Sequence, residues 1–273
     1  MKIAVVTDSA SCLLPSEIKK YHIKVLPLTV NFGQQSYLEN IDITTSEFYR
    51  RMQTTTTLPT TAQVSPKQLL SAYNDLAAQG YDAVISIHLS SGRSGMYQNL
   101  VTLLSSVKNI KVYPFDSRMA STAEGAMAKL AVKMIEAGYQ PEEIISQLEK
   151  FRATTKVYFA VDDLSHLART GRISNASRIV GSVLRIKPIL TFTPEGKIVA
   201  KQKERTMHRA YQQIKSKFAK VADKVSYPLR LTVIYAGVRE LEKSELGPVL
   251  GVHTGSGTMA LLWAYDWEKW PIK

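Results

Sequence analysis

Short apolar runs that end in polar turns and then lead into helical patterns recur through the first half of the chain. Residues 3–7, 83–89 and 110–115 are such runs, and each is followed at once by an aspartate or a serine. This alternation of strand, turn and helix is typical of parallel βαβ units. Because ligands bind near the carboxyl ends of parallel strands, the polar turns are candidate binding positions.

The second half has a different pattern and predicts a second α/β domain with an antiparallel component. The sequence Thr193-Pro194-Glu195-Gly196, between two strand candidates, is typical of a hairpin turn. The alternation of predicted strands and helices and the balance of basic and acidic residues both change near residues 153–157. We therefore predict one domain at 1–155 and a second at 156–273. The predicted helices are 65–79, 94–107, 121–138, 141–152, 162–170, 175–185 and 206–221, and the predicted strands of the second half are 157–161, 188–192, 197–201, 230–237 and 258–263.

Composition narrows the class of protein. Of the 273 residues 45% are hydrophobic and 21% are charged, which favours a folded core over a disordered chain. The single cysteine, Cys12, cannot form an internal disulfide. No apolar run reaches the length of about 18 residues that a membrane helix needs, and Asp8 interrupts any signal-peptide core. We therefore expect a protein of the reducing cytoplasm.

The net charge of +12 is concentrated in the second half. Residues 1–155 hold 15 Lys and Arg against 13 Asp and Glu, whereas residues 156–273 hold 20 against 10. Residues 169–220 alone hold 13 basic residues and only two acidic ones. This stretch is a candidate surface for phosphate, an acidic protein or an anionic lipid, and a solvated face is the alternative. It lacks the interleaved aromatic residues of nucleic-acid binders, so a nucleic-acid-binding regulatory protein is a weaker hypothesis.

Two hydroxyl-rich segments are candidate anion sites. Residues 90–95, Ser-Ser-Gly-Arg-Ser-Gly, lie between a buried strand and a helix, where free backbone N–H groups and the helix dipole attract an anion. Ser94 is followed directly by Gly95 and Met96, which does not fit the nucleophile elbow of a serine hydrolase. The threonine-rich residues 54–66 precede a helix that Ser65 is suited to cap. A tight turn and a plain loop are the alternatives.

The histidines give little support to metal catalysis. All five are scattered along the sequence without metal-ligand spacing, and no nucleotide-binding glycine loop occurs. We therefore expect neither a metal nor a cofactor. His253 is the exception of interest, because it lies between Gly251 and Gly257 in a predicted turn where a ligand could approach the backbone. A stand-alone enzyme acting on a small anionic substrate, with His253 as acid or base, is one alternative.

Several segments together, and in this order, resemble the DegV family of bacterial fatty-acid-binding proteins. The resemblance spans nearly the whole chain. The matching segments are Ile3-Ala-Val-Val-Thr-Asp8-Ser9, residues 59–66, residues 91–98, Asp116-Ser117, residues 167–174, Ile186-Lys187-Pro188-Ile189-Leu190, Arg205 and residues 251–257.

The resemblance implies an α/β protein of two domains, with a parallel-sheet domain followed by a mixed α/β domain and one long-chain fatty acid in a tunnel between them. Thr61 and Ser94 would hold the carboxylate, with Ser91, Gly95, Ala62 and Arg93 nearby. Two of these positions depart from the family pattern: Ala62 replaces a serine, which removes a hydroxyl donor, and Arg93 replaces a leucine.

The resemblance also implies partners. In family members that carry the acyl chain for a fatty acid kinase, a separate ATP-binding subunit phosphorylates the bound acid, so the carrier does not catalyse alone. Arg205, His253 and Arg172 would be associated with phosphorylation or with docking of that subunit. A lipid carrier must also meet a membrane or a membrane acyltransferase, and each basic residue near an anionic surface contributes about 1 kcal/mol. The basic residues 169–220 suit such a transient contact.

Overall fold

The structure, a computed structural model, describes residues 1–174, 186–237 and 245–272. The helix predicted at 175–185 lies outside the described residues. The strands are β1 (Ile3–Asp8), β2 (Lys24–Leu26), β3 (Thr29–Phe32), β4 (Gln35–Leu38), β5 (Thr60–Ala62), β6 (Ala83–His88), β7 (Lys111–Asp116), β8 (Lys156–Ala160), β9 (Lys187–Phe192), β10 (Ile198–Glu204), β11 (Leu229–Tyr235) and β12 (Met259–Tyr265). The α-helices are α1 (Pro15–Tyr21), α2 (Thr45–Thr54), α3 (Pro66–Ala78), α4 (Met96–Leu103), α5 (Thr122–Glu136), α6 (Pro141–Thr154), α7 (Ser165–Arg169), α8 (Met207–Ala222) and α9 (Pro248–Thr254).

The first half is organised around a four-stranded parallel sheet in the order β2-β1-β6-β7. All six residues of β6 are buried, which is why this strand is mostly apolar on both faces, with Ser86 and His88 as its buried polar residues. Helix α3 follows β5 and begins as predicted, because Ser65 accepts a hydrogen bond from the N–H of Gln68 and Pro66 occupies the first helical position. The parallel βαβ prediction is confirmed.

A small antiparallel sheet in the order β4-β3-β5 was not predicted from the sequence. Its strands are only three or four residues long and partly exposed, so they carry too little hydrophobic periodicity to identify. The threonine-rich segment is therefore not only a loop, which was one of the alternatives for it. Thr60 and Thr61 belong to β5 and pair with β3. The position of Thr61 is therefore fixed by backbone pairing.

The second half contains a five-stranded antiparallel sheet in the order β10-β9-β8-β12-β11. The predicted hairpin connects β9 to β10, with Gly196 in the left-handed region at φ +74°. Helix α8 covers one face of this sheet and buries Ala210 and Ile214 in a small cluster with Trp263. Trp263 also stacks on Tyr158, with ring centroids 5.7 Å apart. The expected antiparallel component is confirmed.

The two large sheets share one hydrophobic core, in which Ile85 of the parallel sheet and Leu262 of the antiparallel sheet belong to the same buried cluster. Helix α6 packs against β6 and β7 on one side and against β12 on the other. The predicted domain boundary falls between the end of α6 at Thr154 and the start of β8 at Lys156. Since α6 contacts both sheets, the assignment of residues 1–155 to one domain stays a prediction.

Candidate functional site

A cavity of about 880 Å³ lies between the parallel and the antiparallel sheet. One part of its wall is polar and contains Thr61, Ser94 and His253. Apolar side chains from both halves of the chain line the rest, among them Leu28, Val157, Phe159, Leu246, Val249 and Leu262. This volume is within the range of about 300–1,000 Å³ that is common for ligand pockets. The cavity is therefore amphipathic and large enough for an elongated ligand.

The turn after β6 supplies one side of the polar wall, and two of its serines have different roles. The Ser91 hydroxyl donates to Asp116 Oδ2 at 2.5 Å, so its proton is already used within the protein. The Ser94 hydroxyl accepts a hydrogen bond from the backbone N–H of Met96 at 3.2 Å and keeps its own proton available for a ligand. Ser94 is therefore the better placed donor of the two.

A hydrogen bond beside the cavity holds this turn against the second half of the chain. The buried Ser90 hydroxyl donates to the carbonyl oxygen of Gly196, in the β9–β10 hairpin, at 2.7 Å. A Cβ atom at Gly92 would lie 2.5 Å from the same oxygen, so a side chain at Gly92 would push the hairpin away. The glycine at position 92 thus permits the approach of two backbones beside the cavity.

Thr61 and His253 also belong to the polar wall, and they are in contact although 192 positions separate them in the sequence. The distance between Thr61 Oγ1 and His253 Nε2 is 3.0 Å. The sequence placed His253 in a turn, but the residue lies in the last turn of helix α9. The prediction was wrong because Gly251 does not break this helix: a Cβ there would lie 2.7 Å from both Phe48 Cε1 and Tyr49 Oη. Gly251 instead lets the helix pack closely against α2.

The His253 ring is neutral at physiological pH. Burial, followed by the nearby charges of Arg172, Arg93 and His166, lowers the pKa of His253 to about 4. Its Nδ1 atom is buried and finds no hydrogen-bond partner within the described part of the chain. A neutral imidazole can donate from one nitrogen and accept at the other. His253 can therefore serve either as a donor to a head group or as an acceptor of a proton.

Two arginines give the polar wall its charge. Arg93 and Arg172 both line the cavity, and no aspartate or glutamate is among the lining residues that the structure describes. Burial, with a further contribution from the charge of Arg172, lowers the pKa of Arg93 below its usual range. The Arg93 Nη1 atom is buried without a partner among residues 1–174, 186–237 and 245–272. The wall is thus suited to an anion.

The structure brings most of the predicted site residues to one place. Residues from the expected carboxylate group and from the expected kinase group line the same cavity: Thr61, Ala62, Ser91, Arg93, Ser94, Gly95, Arg172 and His253. Arg205 is not among these lining residues, because it is exposed between the end of β10 and the start of α8. Its position suits contact with another molecule better than contact with a bound head group.

Sequence reasoning missed two amides of this wall. Gln63 and Gln98 both line the cavity, and a Cβ at Gly95 would lie 3.5 Å from Gln63 Oε1. Gln63 comes directly after β5 and close to Thr60 and Thr61, which the sequence had already marked as possible donors. It could therefore have been predicted as a further polar residue of the site. Gln98 ends the matching segment 91–98, but it was not singled out, because a glutamine in the first turn of a helix is ordinary.

Within the part of the chain that the structure describes, no group of three or more His, Cys, Asp or Glu side chains could hold a metal ion. Among the same residues, every helix is too short or too polar to cross a membrane.

Comparison with known proteins identifies the family. The model of the DegV family, described as a family of uncharacterised proteins, matches residues 2–242. The protein DegV of Bacillus subtilis is 39% identical over 97% of this chain and 100% of its own length. This chain belongs to the DegV family. A DegV domain-containing protein of Halalkalibacterium halodurans is 37% identical over 96% of this chain and 98% of its own.

Solved DegV structures share the fold. The crystal structure of DegV from Bacillus subtilis, a fatty acid binding protein, superimposes with a TM-score of 0.89 at 38% identity, covering 97% of this chain and 100% of that one. A DegV family protein from Thermus thermophilus, described by its fatty acid binding, gives a TM-score of 0.87 at 29% identity, over 97% and 100% of the two chains. The predicted combination of a parallel-sheet part and a mixed part is the DegV fold.

Proposed function

We propose that this DegV family member binds one long-chain fatty acid in the cavity between its sheets and presents the carboxylate to a separate kinase subunit. The observation that carries the proposal is the amphipathic cavity, whose polar wall is cationic and whose remaining walls are apolar. The similar DegV proteins of Bacillus subtilis and Thermus thermophilus are fatty acid binding proteins, which supports the same ligand class here.

The apolar walls supply the affinity. Side chains such as Val157, Phe159 and Leu262 line the cavity together with Leu246 and Val249. Burying one methylene group contributes about 0.8 kcal/mol, so some fifteen of them contribute roughly 10 kcal/mol before the cost of ordering the chain. A single acyl chain therefore binds tightly without any covalent link to the protein.

The polar wall supplies the donors for the carboxylate. In our proposal the hydroxyls of Ser94 and Thr61 donate to it, and the guanidinium of Arg93 adds a charged contact. Ala62, Gly95 and Ser91 contribute shape and backbone rather than a free hydroxyl proton, since that of Ser91 goes to Asp116. Hydrogen bonds to an ionised acceptor are about twice as strong as neutral ones, so a few suffice to orient the head group.

The chemistry belongs to a partner in this proposal. A separate ATP-binding subunit transfers a phosphoryl group to the carboxylate, and the carrier holds the acid at the cavity's polar end. His253 and Arg172 line that end, whereas Arg205 is exposed and available to the incoming subunit. We expect Arg205→Ala to lower turnover with the kinase subunit while fatty acid affinity stays unchanged.

A cytoplasmic carrier must also load and unload its lipid. We propose that the basic second half makes a transient contact with an anionic membrane or with a membrane acyltransferase. Helix α8 presents exposed basic side chains at Arg209, Lys215 and Lys220, which flank the face that buries Ala210 and Ile214. Such a contact weakens as salt is added, because the attraction is electrostatic.

Mass spectrometry of the purified protein tests the ligand class. The native mass is compared with the mass after organic extraction, and the extract is searched for free fatty acids. A stoichiometric fatty acid supports the proposal. If no acid is extracted and added palmitic and oleic acids also fail to bind, the proposal is contradicted.

The variant Ser94→Ala tests the head-group site. The loss of one hydrogen bond to a charged group costs about 1.5–3 kcal/mol, so fatty acid affinity is expected to fall at least tenfold. Ser105→Ala is the matched control, because Ser105 is an exposed serine outside the cavity. Equal affinities of the Ser94 variant and the unaltered protein would remove Ser94 from the site.

A further inference from the structure

The polar wall carries more positive charge than one carboxylate balances. Arg93 and Arg172 both line the cavity, and an arginine stays protonated at physiological pH. The described lining residues include no aspartate or glutamate. A fatty acid brings one negative charge, so one unit of positive charge is left without a partner.

The guanidinium of Arg93 is partly buried and anchored to the protein, so its charge is not simply solvated at the surface. Its Nε atom donates to the carbonyl oxygen of Gly92, which fixes the guanidinium against the turn. Its Nη1 atom is buried and has no hydrogen-bond partner among the residues that the structure describes. A buried charged donor without a partner is costly, and an anion bound beside the guanidinium would lower that cost through its charge.

The second arginine is held close by. Arg172 is half-buried and donates from Nη1 to the carbonyl oxygen of Thr170, at the end of α7. Its charge acts on both Arg93 and His253, so the three side chains share one electrostatic environment. The two guanidiniums repel each other, and a group of charge −2 between them would turn this repulsion into a net attraction.

The number and type of donors fit a phosphate group better than a carboxylate. A phosphate monoester has three acceptor oxygens and a charge close to −2 above a pKa of about 6. The guanidinium fork of arginine matches two of those oxygens at once. Thr61 and Ser94 line the same cavity, and their hydroxyls are further donors for the third oxygen.

We propose that Arg93, together with Arg172, makes this cavity prefer single-chain lipids with a dianionic phosphate head group over free fatty acids. The inference rests on the proposed function, because the same cavity must hold the acyl chain. Arg93 is then the residue that determines head-group charge, and a phosphorylated lipid is held more tightly than the free acid. The carrier would release such a lipid only to an acceptor that offers a better site for the phosphate.

Three probes with the same sixteen-carbon chain separate charge from shape: palmitic acid, hexadecyl sulfate and hexadecyl phosphate. Their dissociation constants are measured by displacement of a fluorescent fatty acid at about pH 8, where a phosphate with a second pKa of about 6 is dianionic. Sulfate has the tetrahedral shape of phosphate but one charge. We expect hexadecyl phosphate to bind roughly tenfold more tightly than either other probe, which is about 1.4 kcal/mol.

The variant Arg93→Leu is expected to abolish that preference while palmitic acid still binds. Arg172→Leu removes the other guanidinium. If Arg93→Leu does not fold, the affinities of Arg172→Leu for the three probes are compared in its place. Arg50→Leu is the control, since Arg50 is exposed on α2, pairs with Glu47 and is not among the lining residues. It is expected to keep the preference in full.

The outcomes distinguish this inference from the proposed function. If palmitic acid binds but hexadecyl sulfate binds as tightly as hexadecyl phosphate, charge does not select the ligand and the inference is overturned. Equal weakening of all three probes by Arg93→Leu overturns it as well. If none of the probes binds to the unaltered protein, the proposed function itself fails.

Discussion

The carboxylate of Glu39 accepts a 2.8 Å hydrogen bond from the backbone N–H of Val249, in the first turn of the helix whose last turn carries His253. Glu39 is buried, and its other oxygen accepts from the hydroxyl of Ser9. A Cβ at Gly247 would lie 2.6 Å from Glu39 Oε1, so the approach of the carboxylate to helix α9 depends on that glycine. A buried acid in the first half thus caps the helix that brings His253 to the cavity.

Glu39 makes stability fall as the pH rises towards neutrality. Burial raises the pKa of Glu39 from 4.5 to about 7, against the smaller lowering effects of its bonds to Ser9 and Val249. Between these values the folded protein binds more protons than the unfolded one, so this contribution is full below 4.5 and is lost as the pH passes 7. The loss is about 3 kcal/mol in the free energy of unfolding.

Urea denaturation at several pH values between those limits measures the effect. The variant Glu39→Gln keeps an acceptor for Val249 but cannot ionise, so its stability should lack this part of the pH dependence. Glu136→Gln, at an exposed glutamate at the end of α5, should retain it. The same pH dependence in Glu39→Gln as in the unaltered protein would show that Glu39 does not titrate in this range.

His253 has the opposite effect on stability. Its pKa is lowered from 6.5 to about 4, first by burial and then by the charges of Arg172 and Arg93. Between these values the unfolded chain binds the proton and the folded one does not, so stability is lost as the pH falls from 6.5 towards 4. The loss is again about 3 kcal/mol. NMR titration of the imidazole ring measures the pKa directly, and a midpoint near 6.5 would contradict the burial argument.

The parallel sheet could be predicted from the sequence because its two central strands are buried on both faces. Every side chain of β6 is buried, and β1 is buried from Ala4 to Asp8, so both strands are mostly apolar and show no strict alternation. The sheet formed by β3, β4 and β5 could not, because a strand of four partly exposed residues gives no reliable period. A strand can be predicted from the sequence when it is long enough and buried on both faces, and these short strands meet neither condition.

The candidate site was predicted in pieces but not as a unit. Hydroxyls before a helix mark Ser94 and Thr61 as possible donors from local sequence alone, because their chemistry is local. The contact of Thr61 with His253 joins β5 to α9 across 192 positions, and no local pattern encodes such a distance. Likewise, the unbalanced charge of Arg93 and Arg172 becomes evident only when both line one cavity.

Gly196 is expected to be a sensitive position for the closure of the cavity. It has φ +74°, and a Cβ there would lie 2.0 Å from the Ser90 hydroxyl oxygen that bonds to the Gly196 carbonyl. Gly196→Ala therefore combines backbone strain of about 1–2 kcal/mol with the loss of a buried hydrogen bond worth about 1 kcal/mol. Denaturation in urea should show a destabilisation of roughly 2–3 kcal/mol.

Gly138→Ala is the matched control for this variant. Gly138 also has a positive φ, of +84°, but a Cβ there meets nothing within 4 Å. It should therefore show the backbone strain alone, about 1–2 kcal/mol. If both variants lose the same stability, the contact between Ser90 and the hairpin contributes nothing measurable.

Thr61 provides a separate test of the polar wall, because its neighbour is a control of the same residue type. Thr61→Val keeps the shape of the side chain but removes the hydroxyl that lies 3.0 Å from His253 Nε2 and faces the cavity. In the proposed function that hydroxyl donates to the carboxylate, so fatty acid affinity is expected to fall about tenfold.

Thr60 is exposed in the same strand and accepts from Asn31 Nδ2 at 3.3 Å, and it is not among the residues that line the cavity. Displacement titrations with palmitic acid should leave Thr60→Val unchanged, and equal affinities of the two variants would place the carboxylate elsewhere on the wall.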